Sequence, residues 1–296
     1  MHWRGAGPSL IGMSIKSRLL GGGDESIARA SRPEALAASL DETPMQGVEW
    51  LGRAPTAKAP LLYRVLIGIA ELILFRLCGL RLDVEGRENL PEGGFIAVCA
   101  LHRSWIDPLL VVRALPTEPR PWFIGSGPTA FDRPWKERLL RRTGGLLPVW
   151  RGGKDISVHV QSAQAVVDEG AVLALFAEGR IGGPIDAPAR MRSGSALLCL
   201  RTGAPIVPIA VCGADELYRG KRMALRILEP TDPADLLGTA WSGQPEPGTR
   251  AELAAADELT AALAARIADS VAELHPSTLD APGQTRRWSW LTRLMR

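Results

Sequence analysis

His102 and Asp107 stand five residues apart where an apolar run, residues 95–101, gives way to a polar turn and then a helix over 108–115. A turn of that kind brings the two side chains together. The carboxylate then holds one ring nitrogen and fixes the tautomer, and the other nitrogen is free to take a proton from a hydroxyl. This is the logic of a catalytic triad with the substrate's own hydroxyl as the nucleophile. A plainer reading stands beside it: Ser104 and Asp107 also fit a capping box at the helix start.

Two more expected strand ends carry arginines among glycines. Arg151-Gly-Gly-Lys154 follows an apolar run over 146–150, and Glu178-Gly179-Arg180-Ile181-Gly-Gly183 follows another over 171–176. Glycines let the backbone approach a ligand, and an arginine fork suits a phosphate. Residues 132–154 hold seven Lys or Arg against two acids, which reads either as a solvated basic face or as a surface for anionic lipid. Pro205 and Pro208 interrupt the apolar run 203–210, which therefore reads as an edge strand, a bulge or a shaped pocket wall.

The elements that must position these residues alternate. Strands are expected over 81–86, 95–101, 122–125, 146–150, 171–176, 206–211 and 223–228, and helices over 108–115, 132–143, 155–170, 193–202 and 249–274. A polar, Pro/Gly-rich linker is expected over 230–248. The pattern predicts an α/β domain with a mixed central sheet flanked by helices, and ligands there gather beyond the carboxyl ends of strands. Four layers along the chain follow: a flexible tail over 1–59, an apolar helix over 60–80, the domain over 81–275 and a basic aromatic tail over 276–296.

The 296 residues are 46% hydrophobic and 23% charged with a net charge of +3, which excludes a disordered chain, a polytopic membrane protein and a dedicated nucleic-acid binder. Cys78, Cys99, Cys199 and Cys212 all sit in apolar runs with no CxxC pair, so they read as buried thiols of a reducing compartment. The apolar stretch 61–80 is about long enough to cross a bilayer but carries Arg64, Glu71 and Arg76. It reads as a membrane-docked helix or as an ordinary core helix. The C-terminal run 286–296, with four arginines, two tryptophans and no acid, suits a headgroup interface or is a solvated tail whose tryptophans pack on the domain.

Four blocks in order resemble the PlsC-like 1-acylglycerol-3-phosphate acyltransferases. His102-x4-Asp107 resembles the family's HX4D motif; Gly145-Leu-Leu-Pro-Val-Trp-Arg151 its second block; Phe176-Ala-Glu-Gly179 its FPEGTR block; Ala204-Pro-Ile-Val-Pro208 its proline block. The lead-in over 82–94 is similar as well. Four positions depart: Ala177 replaces the proline, Arg180 and Ile181 replace the threonine and arginine, and Leu101 replaces a frequent asparagine. The resemblance implies transfer of an acyl group from acyl-CoA or acyl carrier protein to a lysophospholipid hydroxyl, with 1-acyl-sn-glycerol 3-phosphate giving phosphatidic acid. It implies His102 as general base and Asp107 as its orienter, with Arg151 and Arg180 on the acceptor phosphate. Glu178 and Gly179 would bind the glycerol part or brace the loop. No cofactor or metal is implied, and the place of work would be the cytoplasmic face of the cell membrane. Other acceptors stay open: glycerol 3-phosphate, a lysophospholipid with a larger headgroup, or a lyso-ornithine lipid. A thioesterase and a catalytically silent lipid-binding protein stay open too.

Overall fold

The computed structural model describes residues 53–150, 156–238, 243, 245–280 and 286–294. Its seven strands are β1 (Arg81–Glu85), β2 (Ile96–Ala100), β3 (Pro121–Ser126), β4 (Leu146–Val149), β5 (Val172–Phe176), β6 (Ile206–Cys212) and β7 (Arg222–Ile227). They form one sheet in the order β1-β7-β6-β2-β5-β3-β4. β6, β2, β5, β3 and β4 run parallel, while β7 is antiparallel to β6 and parallel to β1, so the expected mixed sheet is found.

The centre of the sheet lies where the chain is apolar on both faces. In β2, Ile96, Val98 and Ala100 face one core cluster, and Ala97 and Cys99 the other. A continuous apolar run, rather than an alternating one, is what a strand covered on both sides requires. The first cluster is covered by α5 (Ile156–Asp168), α6 (Ser193–Thr202) and α8 (Arg250–Thr278). In α8 the stripe Leu259, Leu263, Ile267, Val271 and Leu274 is buried, as its helical spacing requires. The second cluster is covered by α2 (Asp107–Ala114) through Leu110, Val111 and Ala114.

The helices leaving β2 and β5 therefore go to opposite faces of the sheet. Neighbouring parallel strands whose successors diverge leave a crevice beyond their carboxyl ends, and ligands sit in such crevices. Residues 102–107 and 177–183 meet there, as their place in the sequence implied.

Several boundaries differ from expectation. β6 is a central strand and not an edge, although it contains Pro208. The N–H that proline lacks falls just before the β6–β7 ladder, whose paired register begins only at Ile209↔Ile227, and the Pro208 carbonyl still accepts from the Leu228 N–H. Pro205 precedes the strand, and its carbonyl accepts from Ile96. Two short helices had no sequence signal strong enough to place them: α3 (Gly127–Ala130), before α4 (Pro134–Thr143), and α7 (Pro233–Leu237), inside the expected linker.

The last residues of the expected tail and the expected apolar helix lie among the described residues. Residues 1–52 lie outside the described residues, but 56–59 are not a tail: Ala57 packs on the core, its carbonyl accepts from Arg120 N, and that of Thr56 accepts from Trp122 Nε1. The apolar stretch is α1 (Leu61–Glu71) running on as a π-helix to Leu77. Two of its three charges pair with the domain, Arg64 with Glu118 and Glu71 with Arg113, while Arg76 is exposed. The Arg120 guanidinium lies between the Tyr63 and Trp122 rings, and burial lowers its pKa to about 10. Leu61, Val65, Ile69, Leu72, Ile73 and Leu77 remain exposed. No helix among the described residues is long and apolar enough to cross a membrane.

At the other end, α8 continues to Thr278 and the last described segment packs on the domain. Leu291, in α9 (Leu291–Leu294), is buried, and Thr292 Oγ1 accepts from Leu217 N and donates to its carbonyl. Trp288 and Trp290 stay exposed, with the Arg219 guanidinium 5.1 Å from the Trp288 ring centre.

Candidate active site

β2 ends at Ala100, and the next residue, Leu101, adopts φ 68°. That left-handed turn throws the chain off the sheet and sets His102 at the mouth of the crevice. A leucine pays strain there that asparagine largely avoids, which gives a physical meaning to the asparagine frequent at this position in the resembling family. Leu101 is compensated by burial, being 1% exposed.

The His102 ring stacks on Phe176 at the end of β5, with 4.1 Å between centroids. Its Nδ1 lies 2.9 Å from Asp107 Oδ2, which leaves Nε2 for the cavity that the residue lines. Asp107 is fully buried at the first position of α2, and the same Oδ2 accepts from Arg103 N at 2.7 Å and Ser104 N at 2.8 Å. The capping box of the plainer reading is not formed, since Ile106 is the N-cap and carries no side-chain cap bond; Asp107, the first helical residue, instead closes the turn through the Arg103 and Ser104 N–H groups and holds the histidine ring. Burial pushes the Asp107 carboxyl above the usual carboxylate range, and the hydrogen bonds from His102, Ser104 and Arg103 pull against that shift.

Glu178 is 2% exposed and faces inward, beneath the turn. Its Oε2 accepts from His102 N at 2.8 Å and from Arg103 Nη1 at 3.0 Å. Its Oε1 accepts from Ala189 N at 2.7 Å and from Leu101 N at 3.4 Å. Arg103 goes on to donate to the carbonyls of Gly182 and Ala187, and Gly182 N donates to the His102 carbonyl. Of the two roles the sequence left open for Glu178, these bonds are those of a brace. They lock the turn after β2 to the loop after β5.

Gly179 takes φ 63°, and a Cβ there would lie 2.9 Å from Arg192 Cδ. Arg180 is exposed at the cavity wall, beside Ile181. Arg151 lies outside the described residues. The structure thus brings together His102, Asp107, Glu178, Gly179 and Arg180, and it adds residues that sequence reasoning missed. Arg103 was overlooked although it lies inside the motif, because nothing in the spacing says that a charged residue there turns inward. Arg192, the residue before α6, and His159 of α5 line the cavity, far from His102 in sequence.

The cavity holds about 970 Å³, at the upper end of ordinary ligand sites. Its walls are largely apolar, with Ile124, Leu140, Leu146, Leu175 and Leu198 among them, and His102, Arg180 and Arg192 also on its lining. A long apolar chain fits such a wall, and an anionic headgroup fits its cations. Among the described residues no group of three or more His, Cys, Asp or Glu is placed to hold a metal ion.

Residues 81–212 match the model of the protein family described as Acyltransferase. Among solved structures, the 1-acyl-sn-glycerophosphate (LPA) acyltransferase PlsC from Thermotoga maritima has a similar fold. Its TM-score is 0.53 at 20% identity, over 73% of this chain and 81% of that one. Among curated proteins, none matches the sequence.

Proposed function

We propose that the chain is an O-acyltransferase that acylates the free hydroxyl of a lysophospholipid; the match of residues 81–212 to the Acyltransferase family model and the fold shared with a PlsC support this reading. The acceptor of this reading is 1-acyl-sn-glycerol 3-phosphate, giving phosphatidic acid, and the donor is acyl-CoA or acyl carrier protein. The observation that carries it is the His102–Asp107 pair at the mouth of a large apolar cavity.

In this reading His102 Nε2 takes the proton of the acceptor hydroxyl as its oxygen attacks the thioester carbonyl. The tetrahedral intermediate collapses by breaking the C–S bond, and the imidazolium returns the proton to the departing thiolate. Asp107 keeps the tautomer that makes Nε2 the acceptor and supports the transient imidazolium. Glu178 and Arg103 hold the turn that carries His102, and Arg180, with Arg151, receives the acceptor phosphate. The transfer draws on no cofactor, since the thioester enters as a substrate.

We place this chemistry at the cytoplasmic face of the cell membrane, bound peripherally. The exposed apolar stripe of α1 and the exposed Trp288 and Trp290 support that setting, as do four free buried thiols. The test is thiol release from long-chain acyl-CoA by the purified protein, with and without lysophosphatidate, wild type beside His102→Ala. Release that requires the lysolipid and vanishes in the variant is expected. Release without acceptor would make the protein a thioesterase. Release with glycerol 3-phosphate or another lysolipid alone would keep the chemistry and change the acceptor. Lipid binding without turnover under any of these conditions would make it a silent lipid-binding protein.

A further inference from the structure

The third block of this chain lacks an arginine where the resembling family has one, because Ile181 occupies the position. We propose that Arg192, eleven residues further along, supplies the missing phosphate-holding guanidinium. This rests on acyl transfer between a phosphorylated acceptor and a thioester donor.

Three observations carry it. Arg192 is tied to the strand end that bears Glu178: its backbone N–H donates to the Ala177 carbonyl at 2.8 Å, and its Nε to the Glu178 carbonyl at 3.4 Å. The side chain lies over Gly179, where a Cβ would approach its Cδ to 2.9 Å and its Nε to 3.0 Å, so only glycine leaves the arm room. Among the described residues the two Nη groups have no protein partner, and they belong to a residue that lines the same cavity as His102.

The charge of the cavity points the same way. Lys136, Arg180 and Arg192 line it, and among the described residues no Asp or Glu does. Lys136 is already paired with Asp132, whereas neither arginine is in an ion pair among the described residues. A guanidinium with one N–H fixed on a backbone carbonyl and its fork free is preorganised for a phosphoryl group. The fixed Nε sets the orientation of the fork before substrate arrives, which lowers the ordering cost of binding. Two substrates of the reaction carry phosphates, the acceptor lipid and the CoA donor, and both fit this chemistry.

The experiment is steady-state kinetics of the full chain and of Arg192→Ala and Arg192→Lys, varying lysophosphatidate and acyl-CoA separately. Monoacylglycerol serves as the acceptor without phosphate, and equilibrium binding of both lipids is measured beside turnover. Loss of a charge-assisted contact should raise one KM roughly ten- to a hundredfold in Arg192→Ala, with kcat little changed and partial recovery in Arg192→Lys. A rise for lysophosphatidate alone, with monoacylglycerol unaffected, supports the proposal with the acceptor as the source. A rise for acyl-CoA alone supports it with the donor as the source. Both KM values staying within about twofold of wild type overturns it, as does a rise in the lysophosphatidate KM matched by an equal rise in the monoacylglycerol KM with the acyl-CoA KM unchanged. If the wild type turns over no lysolipid, the acyl-transfer reading fails on its own. The inference is then read from binding: it stands if the wild type prefers the phosphorylated lipid and Arg192→Ala does not, and falls otherwise.

Discussion

Replacing Glu178 by alanine tests whether this carboxylate braces the turn or touches the substrate. The Glu178 side chain is fully buried and that of Arg103 is 4% exposed, so truncating one leaves the other as an unpaired charge in the interior. Breaking a buried pair in this way costs about 3–5 kcal/mol. The N–H groups of Leu101, His102 and Ala189 lose their acceptor as well. Domains are stable by only about 5–15 kcal/mol, so Glu178→Ala should fold but unfold at a markedly lower denaturant concentration. Activity should fall too, by roughly a hundredfold in kcat, because His102 loses the bond that fixes its backbone. The acceptor KM should move little. The decisive assay is a double-mutant cycle with Arg103→Met, read by urea denaturation. Removing both charges should restore about 2 kcal/mol or more of what the single change lost. The brace would be refuted if Glu178→Ala kept wild-type stability and raised the acceptor KM with no coupling to Arg103. That pattern belongs to a carboxylate bound to the glycerol hydroxyl.

Two further outcomes follow from the same geometry. Asp107→Asn keeps an oxygen where Oδ2 stood, for the Arg103 and Ser104 N–H groups and the His102 ring, but loses the negative charge that supports the imidazolium, so kcat should drop by about 10²–10⁴. Because burial raises the Asp107 pKa, the folded state binds the extra proton more tightly than the unfolded state does. The wild type's stability from this group is therefore whole below the ordinary carboxylate value, about pH 3.9, and is lost as pH rises past it. The variant should match the wild type near pH 4 and equal or exceed it at pH 7; a variant clearly less stable at pH 7 would contradict the sign. For membrane docking, Val65→Ser, Ile69→Ser and Leu72→Ser together remove a half-exposed stripe worth about 1 kcal/mol per residue. Sedimentation with anionic phospholipid vesicles should show binding weakened by roughly a hundredfold, with turnover of water-soluble short-chain substrates unchanged. Unaltered vesicle binding would remove α1 from the docking surface.

The sequence determined the order of elements and the ends at which chemistry gathers. A run apolar on both faces, as in β2, β5 and β6, has few other homes than the middle of a covered sheet, so the strands and the His102–Asp107 turn were legible. Local rules also placed α6 and most of α8, since a glycine after the last turn and a buried stripe at helical spacing are written in the chain itself. What it left open depends on contacts distant in sequence. Pro208 reads as an edge residue until the neighbouring ladder is known to begin one residue later. Arg64 and Glu71 read as charges on an apolar helix until Glu118 and Arg113 are found opposite them. The tertiary structure alone decided that Glu178 lies under His102 and that Arg192 lies over Gly179. An inward-facing charge is stable only where the fold supplies its partners, and those of Glu178 lie up to 77 residues away along the chain.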